Sequence, residues 1–369
     1  MDLVRVGVIG VGNIGTLHSR ILATNQVPGA KLAAVCDLNP ERLKFAIENF
    51  GEDLLVFENI EQLINANCVD AVIIATPHYA HPVLAIKAFQ AGLHVLVEKP
   101  AGVYTKHVRE MNEVAVKSGK VFSMMYNQRT NPLYQKLRDL IQSGELGEIK
   151  RTNWIITNWY RSQSYYDSGG WRATWAEEGG GVLLNQAPHQ LDLWQWICGM
   201  PKRVRAFCYF GKYHDIEVED DVTAFVEYEN GATGIFITST GEAPGTNRFE
   251  ISGDRGKIVV EDDQLSFWRL RVPERQFNAE YRGGFGSPEV WKCHVPVTGR
   301  NPEHQGIIAN WVSAIREGTE LLAPGVEGIH GLELSNAMHL SAWTDSWVDL
   351  PVDEDIFYQE LQKRIAISK

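Results

Sequence analysis

The stretch VRVGVIGVGNIGTLHSRIL, residues 4–22, decides the fold of this chain. A short apolar run, typical of a buried strand, leads directly into a pattern typical of a helix. Between the two, Gly10, Gly12 and Gly15 form the spacing G-x-G-x-x-G. In such a unit the glycines permit a tight turn, a close backbone approach to a pyrophosphate, and close packing of helix on sheet. The stretch therefore predicts a dinucleotide-binding loop, with the phosphates at the start of the helix.

The residues that follow support this prediction, because a glycine motif alone also occurs in ordinary turns. Asp37 ends the next predicted strand, 22 residues after Gly15, close to the spacing of about 20 expected for an acid that binds the adenosine ribose. Its charge would repel a 2′-phosphate, so we expect NAD rather than NADP. Arg42 and Lys44 lie just downstream and moderate this preference.

The pattern of the chain changes near residue 125. Before it, short apolar strands alternate with helical segments, which predicts a parallel sheet covered on both faces. We therefore assign residues 1–125 to an NAD-binding Rossmann domain. After it, consecutive β-rich runs, an Asn-Gly hairpin signal at 230–231 and a few helices predict a large, mainly antiparallel, open-faced sheet. Residues 126–369 are predicted to bind substrate and to form oligomers, with 272–300 as a long loop.

Composition narrows the class of function. The chain has 369 residues, 44% hydrophobic and 22% charged, as is ordinary for a globular protein of two domains. A net charge of −11 argues against nucleic acid or an anionic membrane as partner. Five cysteines without C-x-x-C spacing predict neither a disulfide framework nor a zinc site, and a cytoplasmic location is expected. We predict no metal and no membrane span.

Two segments carry candidate chemistry. Glu98, Lys99 and Pro100 follow a strand of the predicted parallel sheet, so Lys99 is expected at the cofactor crevice. Its ammonium would favour a deprotonated substrate hydroxyl, although a solvated lysine at a strand end is an equal alternative. In GGGVLLNQAPHQLD, residues 179–192, a helix is predicted to begin near Pro188. His189 would lie in its first turn, and Asp192 would either orient the imidazole or offset the helix dipole.

These segments resemble the glucose–fructose oxidoreductase / inositol dehydrogenase / rhizopine catabolism (Gfo/Idh/MocA) family. The matching pieces are GVIGVGNIGTLHSRIL, AVIIATPHYAHPVLAIKAFQAGLHVLVEKPAG, NQRTNP, GGWR and GGGVLLNQAPHQLDLWQWICG. The resemblance implies a Rossmann domain followed by an open-faced α/β domain, in dimers or tetramers formed through the C-terminal sheet. It also implies NAD(P)-dependent oxidation or reduction of sugars, cyclitols or related polyols.

The resemblance also assigns roles to residues. It implies that Lys99 is catalytic and that His189 is the general base. Asn185 stands where the family pattern has an aspartate, and an amide binds a hydroxyl but accepts no proton. The substrate site is predicted to comprise Asn185, Trp171, Arg172, Asp192 and Arg129, the last being either a substrate or a structural residue. The cofactor site is predicted to comprise Gly10, Gly12, Asn13, Ile14, Gly15, Asp37, Ala75, Thr76, Pro77, His81, Glu98, Lys99, Trp171 and Arg172.

For two further features, the sequence allows either a role in ligand binding or a role in packing. Glycines 179–181 are expected to permit positive φ and a close approach to cofactor or substrate. Six tryptophans fall within residues 154–196 and would either line a sugar site or pack in the core or at a subunit interface. We predict an NAD-dependent dehydrogenase of a sugar, glycoside or cyclitol hydroxyl, with glycoside 3-oxidation as one version. The rivals are an NAD-dependent glycosidase and a non-catalytic sugar-sensing regulator, against which the presence of Lys99 and His189 speaks.

Overall fold

The computed structural model describes residues 3–368, so residues 1, 2 and 369 of the predicted domains lie outside it. The strands are β1 (Val4–Ile9), β2 (Ala30–Cys36), β3 (Leu55–Phe57), β4 (Ala71–Ile74), β5 (His94–Val97), β6 (Phe122–Met124), β7 (Ile149–Ile156), β8 (Arg203–Phe210), β9 (Glu219–Glu227), β10 (Thr233–Ser239), β11 (Asn247–Gly253), β12 (Gly256–Glu261), β13 (Gln264–Leu270), β14 (Val290–Cys293) and β15 (Val348–Asp349). The helices are α1 (Asn13–Ala23), α2 (Pro40–Phe50), α3 (Ile60–Asn65), α4 (Ala80–Gln90), α5 (Thr105–Ser118), α6 (Pro132–Gln142), α7 (Gln163–Asp167), α8 (Pro188–Cys198), α9 (Glu274–Glu280), α10 (Glu303–Glu317), α11 (Gly328–Thr344) and α12 (Glu354–Ile365).

By packing, the chain divides into two compact units. The first contains the residues up to 130 together with 301–332, and the second contains 131–300 together with 333–369. Residues 126–369 were assigned to one domain from the sequence, whereas 301–332, with α10, pack in the first unit. A local sequence pattern does not show against which unit a segment packs. Within residues 3–368, no helix combines the length and the apolar character needed to cross a membrane.

The first unit is built on a six-stranded sheet in which every pair is parallel, in the order β3-β2-β1-β4-β5-β6. The central strand β4 is buried along its whole length, as expected for a sheet covered on both faces. Helices begin where the sequence supplies caps: the side chain of Asn39 accepts from the Glu41 N–H at the start of α2, and Asn59 caps α3 in the same way. Helix α5 ends at Gly119 in a left-handed conformation.

The segment 301–332 completes this first unit. The backbone N–H of Met124 and the hydroxyl of Ser123, both in β6, donate to the carbonyl of Ala323 at 3.0 and 2.8 Å. The Asn112 side chain donates to the Val326 carbonyl at 3.0 Å. The edge strand β6 and helix α5 are therefore held by residues that come much later in the chain.

The second unit contains a nine-stranded sheet in the order β14-β13-β12-β11-β7-β10-β9-β8-β15. Its pairs are antiparallel except for β7 with β10. The predicted fold class, a Rossmann sheet plus a large, mainly antiparallel sheet, is confirmed. One face is packed: Trp194 of α8 stacks on Phe236, and Trp154 stacks on Phe249 with ring centroids 4.2 Å apart.

The opposite face of the sheet stays open. Cross-strand pairing places Arg205, Phe225 and Ile235 side by side on β8, β9 and β10, with Phe207 and Tyr209 further along β8 on the same face. Phe207 and Tyr209 are both 51% exposed. The alternate residues of these strands, such as Ala224, point to the packed face and are buried.

Several elements were not predicted. The segment 272–300, predicted as a loop, contains α9 and β14, although most of it is exposed. Strands β3, β13 and β15 and helices α7 and α12 were also not predicted. Strands β3 and β15 have only three and two residues, too few for an alternation to be seen.

Candidate active site

Three neighbouring strands of the parallel sheet bring the predicted cofactor residues to one edge. Gly10 follows β1, Ala75 follows β4 and Glu98 follows β5, and these strands lie next to one another in the sheet. The carboxyl ends of parallel strands form the ligand crevice of an open α/β sheet. Thr76 and Lys99 are half-buried at the same edge, and Pro77 is exposed there.

The glycine loop fits a pyrophosphate. Gly10 has φ +91°, and a Cβ on it would lie 2.6 Å from the Ala75 carbonyl oxygen, while a Cβ on Gly15 would lie 1.8 Å from the Gly10 oxygen. A Cβ on Gly12 would meet nothing within 4 Å, so this glycine leaves open space beside the backbone. Helix α1 begins at Asn13, and its described first turn has neither a side-chain cap nor an acidic residue. Its N–H groups and positive dipole end are therefore suited to an anion, with Asn13 and Ile14 in that turn.

Asp37 is anchored beside this loop. One carboxylate oxygen accepts from the Val11 N–H at 2.7 Å, and the other accepts from the Asn39 N–H at 2.9 Å. The side chain is half-buried, next to the glycine loop and at the end of β2. Asp37 thus supports the conformation of the loop as well as lying where a ribose-binding acid was predicted.

His81 has a different role from the cofactor contact predicted for it. It is buried, and its Nδ1 and Nε2 lie 2.7 Å from the carbonyl oxygens of Pro100 and Thr76, respectively. Burial lowers the pKa of the imidazole, against the raising effect of these two carbonyl groups. His81 therefore joins the turn after β4 to the turn after β5, and its burial leaves no surface for a direct cofactor contact.

Glu98 also faces inward rather than toward a cofactor. Its Oε1 lies 2.7 Å from Nε2 of the fully buried His18, and its Oε2 accepts from the Lys99 N–H at 3.1 Å. Burial alone would raise the pKa of Glu98, but the hydrogen bond with His18, together with the charges of His18, Lys99 and His304, holds it at about 2. Glu98 is thus a buried carboxylate that fixes the backbone at Lys99. The sequence pointed to neither His18 nor this pairing.

Arg129 is structural. Its side chain is 0% exposed, and Nη1 donates to Glu327 at 2.6 Å and to the Leu322 carbonyl at 3.2 Å. A side chain without exposed surface has no room to touch a substrate. Of the two alternatives left open for Arg129, the structure therefore favours the structural one.

In the second unit, helix α8 begins at Pro188, as predicted, and His189 lies half-buried in its first turn. Asp192 is buried and accepts from the Gln195 side chain at 3.1 Å. Its burial removes it from the predicted substrate-binding set, because a substrate would find no surface on it. His189 lies in the first turn of α8, as predicted.

The last of the three glycines before this helix, Gly181, packs against a carboxylate of the protein itself. Both oxygens of the fully buried Glu219 accept from the Gly181 N–H at 2.9 and 3.0 Å, and Oε1 also accepts from the Leu183 N–H. A Cβ on Gly181 would lie 2.0 Å from the Glu219 carbonyl oxygen. Positive φ occurs at Gly179. The close approach that Gly181 permits is therefore made to Glu219.

A second carboxylate lies beside Asn185. The amide nitrogen of Asn185 donates to Oε1 of Glu178, and Oε2 of Glu178 accepts from the Ala173 N–H at 2.6 Å. Nearby, the Arg172 guanidinium lies over the rings of Trp171 and Tyr165 and donates to the Tyr165 hydroxyl at 2.7 Å. Glu178 was not among the predicted site residues. The acidic pair before the glycines was visible, but nothing in it indicated which acid turns inward.

The tryptophans of residues 154–196 were predicted either to line a sugar site or to pack in the core or at an interface, and the structure contains examples of both kinds of environment. Trp154, Trp175 and Trp194 are buried in the core of the second unit. Trp171 is half-buried beside Arg172 and stays available as a predicted site residue. Among residues 3–368, no three His, Cys, Asp or Glu side chains come together as metal ligands.

Known proteins match this chain along most of its length. Residues 4–126 match a family model described as an oxidoreductase family with an NAD-binding Rossmann fold, and residues 134–259 match the GFO/IDH/MocA C-terminal domain. The uncharacterized oxidoreductase YdgJ of Escherichia coli (strain K12) is 30% identical over 90% of this chain and 94% of its own length. Levoglucosan dehydrogenase of Pseudarthrobacter phenanthrenivorans is 26% identical over 95% of this chain and 99% of its own length.

A solved structure agrees with these relatives. The WlbA dehydrogenase from Chromobacterium violaceum, in complex with NADH and UDP-GlcNAcA, has a TM-score of 0.82 and 29% identity, covering 96% of this chain and 97% of its own. The glycine loop, the uncapped start of α1 and Asp37 have the geometry expected of a dinucleotide-binding site. The chain therefore belongs to the GFO/IDH/MocA family of oxidoreductases with an NAD-binding Rossmann fold.

Proposed function

We propose that this protein oxidises a secondary hydroxyl of a sugar, glycoside or cyclitol with NAD as hydride acceptor. The observation that carries the proposal is the position of Lys99, two residues beyond β5 at the edge that also holds the glycine loop and the turn after β4. A cation at the carboxyl edge of a Rossmann sheet lies where a reacting hydroxyl would meet the cofactor. The levoglucosan dehydrogenase and the WlbA dehydrogenase support a sugar as substrate.

Each proposed catalytic residue has one task. The Lys99 ammonium would donate a hydrogen bond to the substrate oxygen and stabilise its developing negative charge. His189 would accept the hydroxyl proton as general base, and the Asn185 amide would bind a hydroxyl without taking a proton. When bound, NAD supplies the acceptor for the hydride that leaves the carbon. Loss of this hydride and of the hydroxyl proton converts the alcohol to a ketone.

A glycoside oxidised at its 3-hydroxyl is the specific version that we favour. Trp171 presents a half-buried aromatic surface beside the Arg172 guanidinium, and this combination suits the apolar face and the hydroxyls of a pyranose. Trp171 and Arg172 are proposed to contact both substrate and nicotinamide.

The test is a screen of monosaccharides, inositols and glycosides for production of NADH, followed by kinetics of Lys99→Ala. We expect kcat to fall by about 10²–10⁴-fold in Lys99→Ala, the usual contribution of a positioned acid–base group. Lys117→Ala is the matched control, because this lysine is exposed on α5. Turnover within a few-fold of the wild type in Lys99→Ala would refute the role of Lys99.

The products separate the rival functions. Net NADH with an intact oxidised glycoside supports the dehydrogenase. Release of an aglycone without net NADH would identify a glycosidase that oxidises only transiently, and binding without any turnover would identify a sensor.

We also propose that the open face of the second sheet pairs two copies of the chain as a homodimer or as part of a homotetramer. Phe207, Tyr209, Phe225 and Ile235 form an apolar group on this face, of a kind that single proteins rarely leave in water. A cytoplasmic location stays a prediction.

A further inference from the structure

Two arginines of the second unit lie against the same aromatic ring. The guanidinium carbon Cζ of Arg161 is 5.1 Å from the centroid of the Tyr165 ring, and that of Arg172 is 4.4 Å from the same centroid. Arg161 also lies over the Trp159 ring, and Arg172 lies over the Trp171 ring. All five residues are half-buried. Arg161, Tyr165 and Arg172 thus form an arginine cluster that holds two positive charges close to one phenol ring.

The charges of the arginine cluster have no carboxylate partner in the described part of the chain. Nη1 of Arg161 donates to two backbone carbonyls, Nη1 of Arg172 donates to the Tyr165 hydroxyl, and neither guanidinium forms an ion pair with an acid of residues 3–368. Arg203, which is also half-buried in the second unit, in contrast pairs with Glu227 at 2.6 Å. Because a partly desolvated charge is stabilised by a counter-ion, the arginine cluster is suited to an anion from outside the chain.

Glu178 interacts with Arg172 through its charge but forms no ion pair with it. Burial raises the pKa of Glu178, and the Arg172 charge is among the effects that lower it, with a result of about 7. A carboxylate that is partly protonated at neutral pH offsets only part of a neighbouring positive charge. Arg161 and Arg172 together therefore carry more positive charge than Glu178 compensates.

The Tyr165 hydroxyl adds a further donor to the arginine cluster. Its oxygen accepts from Nη1 of Arg172 at 2.7 Å and from the side-chain amide of Gln186 at 3.4 Å. The phenol proton is then left without an acceptor among residues 3–368, and Oε1 of Gln186, a residue that is 5% exposed, has no partner there either. If the amide is turned the other way, Oε1 accepts the phenol proton and the amide N–H groups are left instead. Either arrangement leaves a polar hydrogen beside Arg172 that can donate to an anion.

The backbone holds both arginines in place. The Arg161 N–H donates to the Thr240 carbonyl at 2.9 Å, and Nε2 of His214 lies 2.8 Å from the Arg161 carbonyl oxygen. The Arg172 N–H donates to the Gly169 carbonyl at 3.0 Å. A guanidinium that lies with its face over a ring presents its N–H groups at its edge, which is the geometry that binds carboxylate and phosphate oxygens. The arginine cluster is therefore preorganised for such a group.

We propose that Arg161, Tyr165 and Arg172 bind an anionic oxygen group of the substrate, so that the preferred substrate is an acidic sugar derivative. Gln186, which contacts the Tyr165 hydroxyl, directly follows Asn185, the residue proposed to bind a substrate hydroxyl. Neighbouring residues would thus recognise the charge and the hydroxyl. The inference rests on the proposed function, because that function assigns this region to the substrate. The glycoside would carry a carboxylate, as in a glycosiduronate, or a phosphate.

The first test compares methyl glucosides and methyl galactosides in three forms: neutral, with a carboxylate at C6, and with a 6-phosphate. In the wild type we expect kcat/KM for one acidic form to exceed that for the neutral form by roughly ten- to a hundredfold, because hydrogen bonds between charged groups contribute more than neutral ones. The acidic form that is preferred identifies the anion as a carboxylate or a phosphate. Equal kcat/KM values for the neutral and acidic forms would overturn the proposal.

Three variants test whether the preference comes from the arginine cluster. Arg161→Gln and Arg172→Gln should each lower the ratio of kcat/KM for the acidic over the neutral glycoside by roughly tenfold, and Tyr165→Phe, which keeps the ring, by about three- to tenfold. The ratio cancels any general effect of a variant on folding or catalysis. Arg282→Gln is the matched control and should keep the wild-type ratio, because this exposed arginine also donates to a backbone carbonyl. A wild-type ratio in both Arg161→Gln and Arg172→Gln would refute the anion site.

A binding measurement needs neither a variant nor turnover. Wild-type protein is saturated with NADH, which occupies the dinucleotide site, and titrated in a calorimeter with glucose, glucuronate and glucose 6-phosphate. One of the acids should bind more tightly than glucose, and its affinity alone should fall as NaCl is raised from about 0.05 to 0.5 M, since salt screens ionic contacts. Such binding in a protein that oxidises no alcohol would support the anion site and refute the proposed function. Sugar oxidation with equal, salt-independent affinities for the three ligands would overturn the anion site alone.

Discussion

At the scale of single residues, His18 and Glu98 form a buried contact in the first unit, beside Lys99. A buried carboxylate is stable only when its charge is compensated, and His18 contributes the hydrogen bond that lowers the pKa of Glu98. Removing His18 would leave the carboxylate without its main partner directly beneath the proposed catalytic lysine. Stability and the geometry at Lys99 are therefore linked.

We expect His18→Leu, which keeps most of the volume, to lower the free energy of unfolding by about 3–5 kcal/mol at pH 7. The double variant His18→Leu with Glu98→Gln should recover a large part of this loss, because it no longer buries an unpaired charge. Urea unfolding followed by tryptophan fluorescence measures both. Losses that simply add in the double variant would contradict the pairing.

The same pair predicts an acid dependence. The pKa of Glu98 lies at about 2 in the folded chain, below the ordinary value of 4.5, so its ionised form stabilises the fold above pH 4.5. That contribution is lost as the pH falls from about 4.5 toward 2. The difference in unfolding free energy between the wild type and His18→Leu should therefore narrow over this interval.

Asp37 permits a separate test of cofactor choice. Asp37→Ser removes the charge that would repel a 2′-phosphate but keeps a small polar side chain near the Val11 N–H. We expect NAD to lose about 1.5–3 kcal/mol of binding, roughly ten- to a hundredfold in KM, while NADP loses less or gains. The ratio of kcat/KM for the two cofactors is the measurement. Parallel losses for both would mean that Asp37 serves only the loop.

Residue types were predictable from the sequence, but burial was not. Arg129, His81 and Glu98 stand in or next to motifs of the right kind, yet all three are buried. Arg129 and Glu98 are enclosed by partners that lie far away in the chain, Glu327 and His18. Glu178 became visible only once the loop was folded. Position 185 lacks the carboxylate of the family pattern. The Asn185 side chain instead contacts Glu178, an acid seven residues earlier in the chain.

At the scale of elements, the glycine loop before α8 is shaped by Glu219. We expect Gly181→Ala to destabilise the protein by about 1–3 kcal/mol or more, because the new methyl group would overlap the Glu219 carbonyl. It should also lower activity through the displaced start of α8. Gly170→Ala is the matched control, since a Cβ there meets nothing within 4 Å, and it should change stability by less than about 0.5 kcal/mol. Thermal melting of the two variants checks this, and equal melting temperatures would contradict it.

Elements with a clear apolar pattern, such as α1, α8 and the buried strands β4 and β5, were predicted. The edge strands β3 and β14 were not, because their positions depend on a neighbouring strand rather than on their own residues. Strand β3 forms because Leu55–Phe57 pairs with β2. Strand β14 pairs with β13, although most residues of β14 are exposed. Their sequences contain too little alternation of apolar and polar residues to predict a strand.

At the scale of the whole molecule, the open sheet face predicts self-association. We expect light scattering to give two or four times the chain mass of 41.5 kDa. Phe207→Glu combined with Phe225→Glu should shift the mass toward a monomer, because two carboxylates would be buried without partners. Val116→Glu, at an exposed apolar residue of α5, should leave the mass unchanged. A monomeric wild type would refute the interface.

The ribosome synthesises this chain from its amino end, so the first unit stays incomplete until residues 301–332 have been made. Residues 301–332, which hold β6 through Ala323 and pair Arg129 with Glu327, are synthesised only after the whole segment 131–300. At ordinary rates of translation this delay is roughly ten to thirty seconds. During that time Arg129 lacks its contact with Glu327, and β6 lacks its hydrogen bonds to the Ala323 carbonyl. The nascent amino-terminal half is thus expected to need shielding until nearly the entire chain has been translated.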